Sequence, residues 1–307
     1  MGNGNDKLSG GAGDDELKGD EGNDTLDDGP GNDDLTGMGG DDTMHSDPLG
    51  SDSLYGASGV DTIDLSDRTA DLKITIGIGG TDDGQAGEND QTYQDDEIFL
   101  LGSGNDIIED DWDDQNTFRT GAGNDTVYAT RKTDTFDGGD GTDTLSYAPF
   151  EAPSRVYFRV KIDVFAGKVE SGEPSFVQVD ATFSNFERFI GGDQADTLVG
   201  SPGQDYLDGL GGDDLITGGL LGDMIFGGSG NDELRGEEGD DRIEGGDGLD
   251  AIFGGTGNDT MLGGPGRDSF EGNEPDPPDE EKDEVLDWEG PNMTQEPNCF
   301  SANPCPP

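Results

Sequence analysis

A nine-residue period of glycine and aspartate runs through most of this chain, and it constrains the fold more than any other feature. Its phase is plain in GGAGDDELK, starting at Gly10, followed without a gap by GDEGNDTLD, DGPGNDDLT and GMGGDDTMH. The pattern is Gly-Gly-x-Gly-x-Asp-x-U-x, where U is a large apolar residue. A first array covers residues 1–64 as seven units, with one extra residue near Ser46. A second covers 191–271 as nine units in unbroken phase. Between them stand units at Leu101, Thr120 and Gly138, with two degenerate ones ending in DDQNTFR and KTDTFD. Self-similarity at a fixed short period marks a solenoid, in which a unit buries its apolar residue only by stacking on its neighbours.

An ordinary globular core is out of reach. The 307 residues include 55 Gly and only 28% apolar residues, with 72 Asp+Glu against 16 Lys+Arg and a formal charge of −56. Self-repulsion on that scale opposes any compact state, and composition alone places the chain with disordered polyanions. Something must neutralise the carboxylates if the chain folds. The sign of the charge argues against nucleic acid and anionic membranes, which need Lys/Arg footprints, and favours divalent cations. No stretch approaches the roughly 18 consecutive apolar residues of a membrane span. Nor is there a basic-plus-apolar signal region; the chain opens inside a repeat, which reads as a fragment of a longer protein or one exported without a cleaved leader. Cys299 and Cys305 both lie in the last ten residues, so no disulfide ties the body together; they pair with each other or stay free.

The repeat resembles the RTX (repeats-in-toxin) family of calcium-binding nonapeptides, over most of the chain. The resemblance implies an all-β fold, a right-handed parallel β-roll with Ca²⁺ in its turns. The position-6 aspartates are the implied metal ligands: Asp6, Asp15, Asp24, Asp33, Asp42, Asp52 and Asp61 in the first array, Asp106, Asp125 and Asp143 between the arrays, and Asp196, Asp205, Asp214, Asp223, Asp232, Asp241, Asp250, Asp259 and Asp268 in the second. Turn glycines such as Gly11, Gly13, Gly228, Gly230, Gly246, Gly248, Gly255 and Gly257 would turn backbone carbonyls toward the ion.

Each residue type has a physical task at its position. Glycines at positions 1, 2 and 4 allow left-handed dihedrals. Calcium takes six to eight oxygens at about 2.3–2.6 Å from carboxylates and carbonyls, and the position-6 Asp supplies a carboxylate at the exit of the turn. The chain then extends, with position 8 inward and position 7 outward. Leu8, Leu17, Leu26 and Leu35 are expected in one interior ladder, as are Ile243 and Ile252. Two units make one coil of eighteen residues. The resemblance places each ion between a turn and the next turn on the same edge, pairing Asp15 with Asp33, Asp24 with Asp42, Asp205 with Asp223 and Asp232 with Asp250. That gives roughly a dozen Ca²⁺ ions, mostly in the two arrays, whose charge of about +24 would offset under half of the −56. Gln194 and Leu221 replace the position-4 glycine and Asn116 the position-6 Asp, which puts calcium there in doubt. Position-5 residues such as Asp14, Asp41, Asp213 and Asp240 read as outward carboxylates that tune affinity.

Two segments interrupt the count within 65–190. Leu72, Ile74, Ile76 and Ile78 alternate with polar residues, and so do Val156, Phe158, Val160, Ile162 and Val164, which reads as half-buried strands. Both resemble the wide coils that interrupt RTX rolls; a small separate β-sandwich around 147–190 is the rival reading. Arg155, Arg159, Lys161 and Lys168 read as a solvated strand face. From 273 to 307 the glycine phase is gone, leaving an acidic, Pro-rich linker and tail.

No catalytic site is expected. His45 is the only histidine, which excludes an HExxH zinc site and disfavours Ser–His–Asp and Cys–His arrangements. Nearly every Asp already belongs to a turn. The resemblance implies a secreted, extracellular protein that stays unfolded at low cytosolic Ca²⁺ and folds outside. An adhesion module binding ice or glycans is the alternative, suggested by threonines at outward position 7 (Thr25, Thr43, Thr62, Thr126, Thr144, Thr197, Thr260). An enzyme domain upstream of Met1 is a third.

Overall fold

The computed structural model describes residues 2–76, 83–86, 88–93, 97–110, 115–130, 133–148, 159–171, 178–271 and 284–286. Among them there is no helix; every regular element is a strand, and within each unit the strands wind as a parallel β-solenoid. The chain divides into two compact units, Met1–Leu145 with Asp180–Phe186, and Ser146–Val179 with Glu187–Pro307.

In the first unit, Lys7–Ser9, Thr25–Asp27, Thr43–His45, Thr62–Asp64, Ile98–Leu100, Thr117–Arg119 and Asp134–Asp137 pair in parallel. Their register stacks Leu8, Leu26, Met44, Ile63, Phe99, Phe118 and Phe136 in one column. The opposing sheet stacks Leu17, Leu35 and Leu54. The expectation of one ladder for Leu8, Leu17, Leu26 and Leu35 is therefore corrected to two. Successive units lie on opposite sheets, so like residues meet at a spacing of eighteen, not nine. Ile243 and Ile252 are likewise on different sheets of the second unit. Phe99, Phe118 and Phe136 stack with ring centroids 5.2 and 5.7 Å apart, a geometry that in-register parallel strands impose on identical side chains.

In the second unit one sheet stacks Ile162, Leu198, Ile216, Leu234, Ile252 and Phe270. The other stacks Phe189, Leu207, Ile225, Ile243 and Met261. Nearly all of these side chains are fully buried. At about 1.5–3 kcal/mol per buried large apolar side chain, one such residue per nine suffices, because each is covered above, below and across.

The non-repeat segments also contribute strands. Leu72–Thr75 pairs in parallel with Ile107–Glu109 and antiparallel with Gly84–Gln85. Val160–Asp163 pairs in parallel with Thr197–Val199 and antiparallel with Lys168–Ser171. Of the expected alternating apolar residues, Leu72, Ile74, Ile76, Val160 and Ile162 are buried, whereas Val164 is half-buried and Thr75, expected to face outward, is buried as well. Ile78, Val156, Phe158, Arg155, Cys299 and Cys305 lie outside the described residues. Within 273–307, read as linker and tail, Glu284–Leu286 forms a strand parallel to Thr260–Leu262.

Candidate functional site

Strand geometry brings the aspartates to the edges of the roll. Position 8 points inward, so position 1 of the next unit, two residues on, points inward as well. The chain then turns, and position 6 closes the turn. Gly11, Gly13, Gly228, Gly230, Gly246, Gly248, Gly255 and Gly257, at positions 2 and 4, all have φ between +95° and +157°, as the sequence led us to expect. Position 1 is different. Gly19 and Gly236 have no such φ, and a Cβ there would run into Oδ2 of Asp24 or Asp241, in the same unit, and into the carbonyl of Gly37 or Gly254. The position-1 glycine is there for space: the carboxylate five residues on folds beneath its Cα.

Hydrogen bonds then link these carboxylates along each edge. Along each run the backbone N–H of a position-6 residue donates to Oδ1 of its counterpart one coil on. In the first unit one edge runs Asp6 to Asp24 (2.7 Å), Asp24 to Asp42 (2.7 Å) and Asp42 to Asp61 (2.8 Å). The other runs Asp15 to Asp33 (2.6 Å) and Asp33 to Asp52 (2.8 Å), and Asp106, Asp125 and Asp143 form a further run. In the second unit Asp196, Asp214, Asp232, Asp250 and Asp268 are linked on one edge, and Asp205, Asp223, Asp241 and Asp259 on the other. All four pairs expected from the repeat are thus neighbours. Asp6, Asp15 and Asp268 are half-buried; the other sixteen expected ligands are buried.

What is left over defines the site. Oδ2 of Asp15, Asp24, Asp33, Asp42, Asp106, Asp214, Asp223, Asp232, Asp241 and Asp250 is buried and accepts no hydrogen bond. An ionised carboxylate oxygen out of water without a partner is costly. The protein's own response is a raised pKa: burial pushes Asp214 up to about 8, Asp106 and Asp223 up to about 7, and Asp196 and Asp250 up to about 6. Backbone carbonyls line the same stack. The position-4 carbonyls of Gly22, Gly212 and Gly230 sit where a Cβ on Gly40, Gly230 and Gly248 would strike them. Carboxylate and carbonyl oxygens in a desolvated turn are the donor set of a hard divalent cation, and of calcium in particular.

A family model of the RTX calcium-binding nonapeptide repeat, four copies long, matches residues 2–26, 19–48, 49–67, 119–147, 190–225, 217–252 and 244–274, more than half of the chain. The chain belongs to the RTX calcium-binding nonapeptide repeat family. No curated protein matches it. RTX calcium-binding repeats wound into this solenoid fit a calcium-binding β-roll.

Several carboxylates on the RTX edges escaped the repeat count. Where the nonapeptides break off, the N–H of Asp52 donates to Asp90 Oδ1 (2.9 Å) and that of Asp61 to Glu97 Oε2 (2.7 Å). Asn116 donates to Asp134 Oδ1 (2.9 Å). Glu97 and Asp134 carry a legible signal, the order acid-x-Phe in ending units (EIF, DTF); Asp90 carries none. Asn116, the substituted position-6 residue, keeps both amide atoms buried without a hydrogen-bond partner, so the turn still presents an oxygen. Leu221, in place of a position-4 glycine, adopts φ +64° regardless.

Position 5 forms a second ladder of opposite sense. Asn32, Asn231 and Asn258 donate their N–H to Oδ1 of Asp14, Asp213 and Asp240, one coil earlier, at 2.8–3.1 Å, and Val60 does so to Asp41 at 3.0 Å. These side chains are exposed, as expected, yet each zips neighbouring turns together.

Proposed function

We propose that this chain is an extracellular, calcium-responsive β-roll whose folding is driven by Ca²⁺ in the GGxGxD turns, derived from or part of a secreted RTX protein and without a catalytic site of its own. The position-6 aspartates would hold the ions together with the turn carbonyls, two coil-related turns per ion. The observation that carries this reading is the column of buried Oδ2 atoms without hydrogen-bond partners on each edge. Without a cation these oxygens repel one another in a chain of charge −56. A site that exists only in the folded state adds about 1.4 kcal/mol when free calcium stands roughly tenfold above its Kd. Roughly a dozen such sites outweigh the whole stability of an ordinary domain, about 5–15 kcal/mol. Calcium then decides whether there is a fold. Such a chain stays open at low cytosolic calcium, passes an export channel and folds outside, where sites with Kd of about 10⁻⁴–10⁻³ M are filled.

Circular dichroism during calcium titration, with an EDTA control at neutral pH, tests this. Coil in EDTA and strand in calcium is the expected result, with Mg²⁺ a poor substitute because it demands tighter octahedral geometry. A chain already rich in strand in EDTA, or still unfolded at about 10 mM Ca²⁺, well above that range, would sink the reading.

An adhesion role for the outer faces is the second reading, and one observation favours it. Position-7 threonines that are scattered in sequence share one rank of the first unit: Thr25, Thr43, Thr62, Thr117 and Thr135 lie side by side, broken only by Ile98. Absence of binding in ice-recrystallisation and glycan-array assays of the calcium-loaded protein would remove this reading.

A further inference from the structure

Inward position 1 holds glycine in most units, but in the unit 28–36 it holds Asp28. No part of Asp28 is exposed. Its Oδ1 accepts the backbone N–H groups of Gly29 (2.6 Å) and Asp47 (3.0 Å), while its Oδ2 is buried without a hydrogen-bond partner. Two position-6 aspartates of the same edge lie beside it. Asp33 gives Oδ1 to the N–H of Asp15 and keeps a buried Oδ2 that accepts nothing. Asp52 gives Oδ1 to Asp33 and accepts Ser46 Oγ on Oδ2 at 3.2 Å. One oxygen from each of Asp28, Asp33 and Asp52 lies within 4.8 Å of one from each of the others.

Comparison with other position-1 residues sharpens what is missing here. Ser46, the position-1 residue one coil on, brings a proton and donates it to its own position-6 carboxylate. Asp110, also buried at position 1, has Oδ2 accepting both N–H and Oγ1 of Thr130, at 3.2 and 3.0 Å. Asp28 Oδ2 has no such donor, although the nearby Ser46 hydroxyl also favours its ionised form. Arg68, buried against the same segment, does not serve it: its guanidinium is spent on both oxygens of Glu88 (3.1 Å each), the carbonyls of Ser46 and Asp47, and Ser46 Oγ.

The geometry points to a calcium site of a second kind at Asp28, Asp33 and Asp52, in which a position-1 carboxylate is added to the pair of turn aspartates and gives the chain its tightest ion. This rests on the reading that the turns hold calcium. An ion at about 2.4 Å from each oxygen spans donors up to about 4.8 Å apart, which suits calcium. Three negative charges around one ion, against two elsewhere on the edge, raise its affinity, since ligand charge count is a main determinant of calcium affinity.

The test uses the full chain and calcium as the only probe, in isothermal titration and in metal analysis after gel filtration at limiting calcium. Asp28→Gly installs the residue most units carry, and Asp28→Asn keeps the shape without the charge. Both are expected to lose the tightest binding step, weakening it by about tenfold or more, while the remaining steps and the calcium-induced strand signal stay. Wild-type affinity for the tightest ion in both variants, with the other sites still filling, would overturn this site and leave the general reading intact. The same holds if Asp28→Asn only stabilises the chain in EDTA, since the trio would then be sharing a proton. No calcium binding by the wild-type chain would overturn both.

Discussion

Asp232 donates its backbone N–H to Oδ1 of Asp250, eighteen residues on, at 3.0 Å, while Oδ2 of the same Asp250 is buried and accepts nothing. One carboxylate thus both joins two coils and faces the turn. Asp250→Ala removes both roles and orphans the N–H of Asp232. The expected cost in saturating calcium is about 1–3 kcal/mol, with at least one ion lost. Asp247→Ala, an exposed change in the same unit, should stay within about 0.5 kcal/mol. Chemical denaturation with ion counting by native mass spectrometry checks both; equal effects would contradict the assignment.

Neighbouring residues 236 and 237 should respond in opposite senses. A Cβ on Gly236 would strike Oδ2 of Asp241 and the backbone carbonyl of Gly254, and a carbonyl held in the stack cannot move aside. Gly236→Ala should therefore destabilise the calcium-loaded roll by about 1–3 kcal/mol. Glu237 sits at φ +78°, a conformation costing an L-residue about 1–2 kcal/mol. Glu237→Gly relieves that strain but adds chain entropy to the unfolded state, so a net gain of about 0.5–1 kcal/mol is expected. Thermal unfolding of the two variants side by side measures the difference, and a stabilising Gly236→Ala would refute the spatial role of position 1.

Acid should favour the calcium-free roll. Burial raises Asp214 to about 8, Asp106 and Asp223 to about 7, and Asp196 and Asp250 to about 6, from an ordinary 3.8. A carboxylate with a higher pKa when folded binds its proton more tightly in the folded state. Its stabilising contribution is full below about pH 4 and is lost as pH rises through about 6 to 8. In EDTA, strand content should therefore rise on acidification from pH 8 to pH 5. Calcium competes with protons for the same oxygens, so its affinity should increase as pH rises from 5 to 8 and its binding should release protons. Circular dichroism in EDTA and titration calorimetry in two buffers test the two halves; strand content that rises with pH in EDTA would contradict them.

Much of the site was legible in the repeat. Position 6 of each nonapeptide names the carboxylate, and a coil of two units names its partner, which is why Asp15 and Asp33, or Asp205 and Asp223, meet. The count fails where units are not nine residues long. Asp52 finds Asp90 across 38 residues and Asp61 finds Glu97 across 36, because the carboxylate that fills a rung after an insertion is the one whose strand re-enters the sheet beside it. The position-5 ladder also escaped, since a side chain that looks merely exposed from its type becomes a zipper only when an identical turn lies against it.

The sequence by itself determined the all-β class, the inward residue of each unit, and which aspartates share an edge, because a constant period turns linear order into spatial order. Only the tertiary structure decided which oxygens of those aspartates remain without a partner. It also showed why position 1 must be small, and that Asp28 lies buried beside Asp33 and Asp52. Those facts depend on where the turn folds each carboxylate back and on contacts with coils eighteen or more residues away, where the direction of a hydrogen bond and the room left for one more atom are set by stacking.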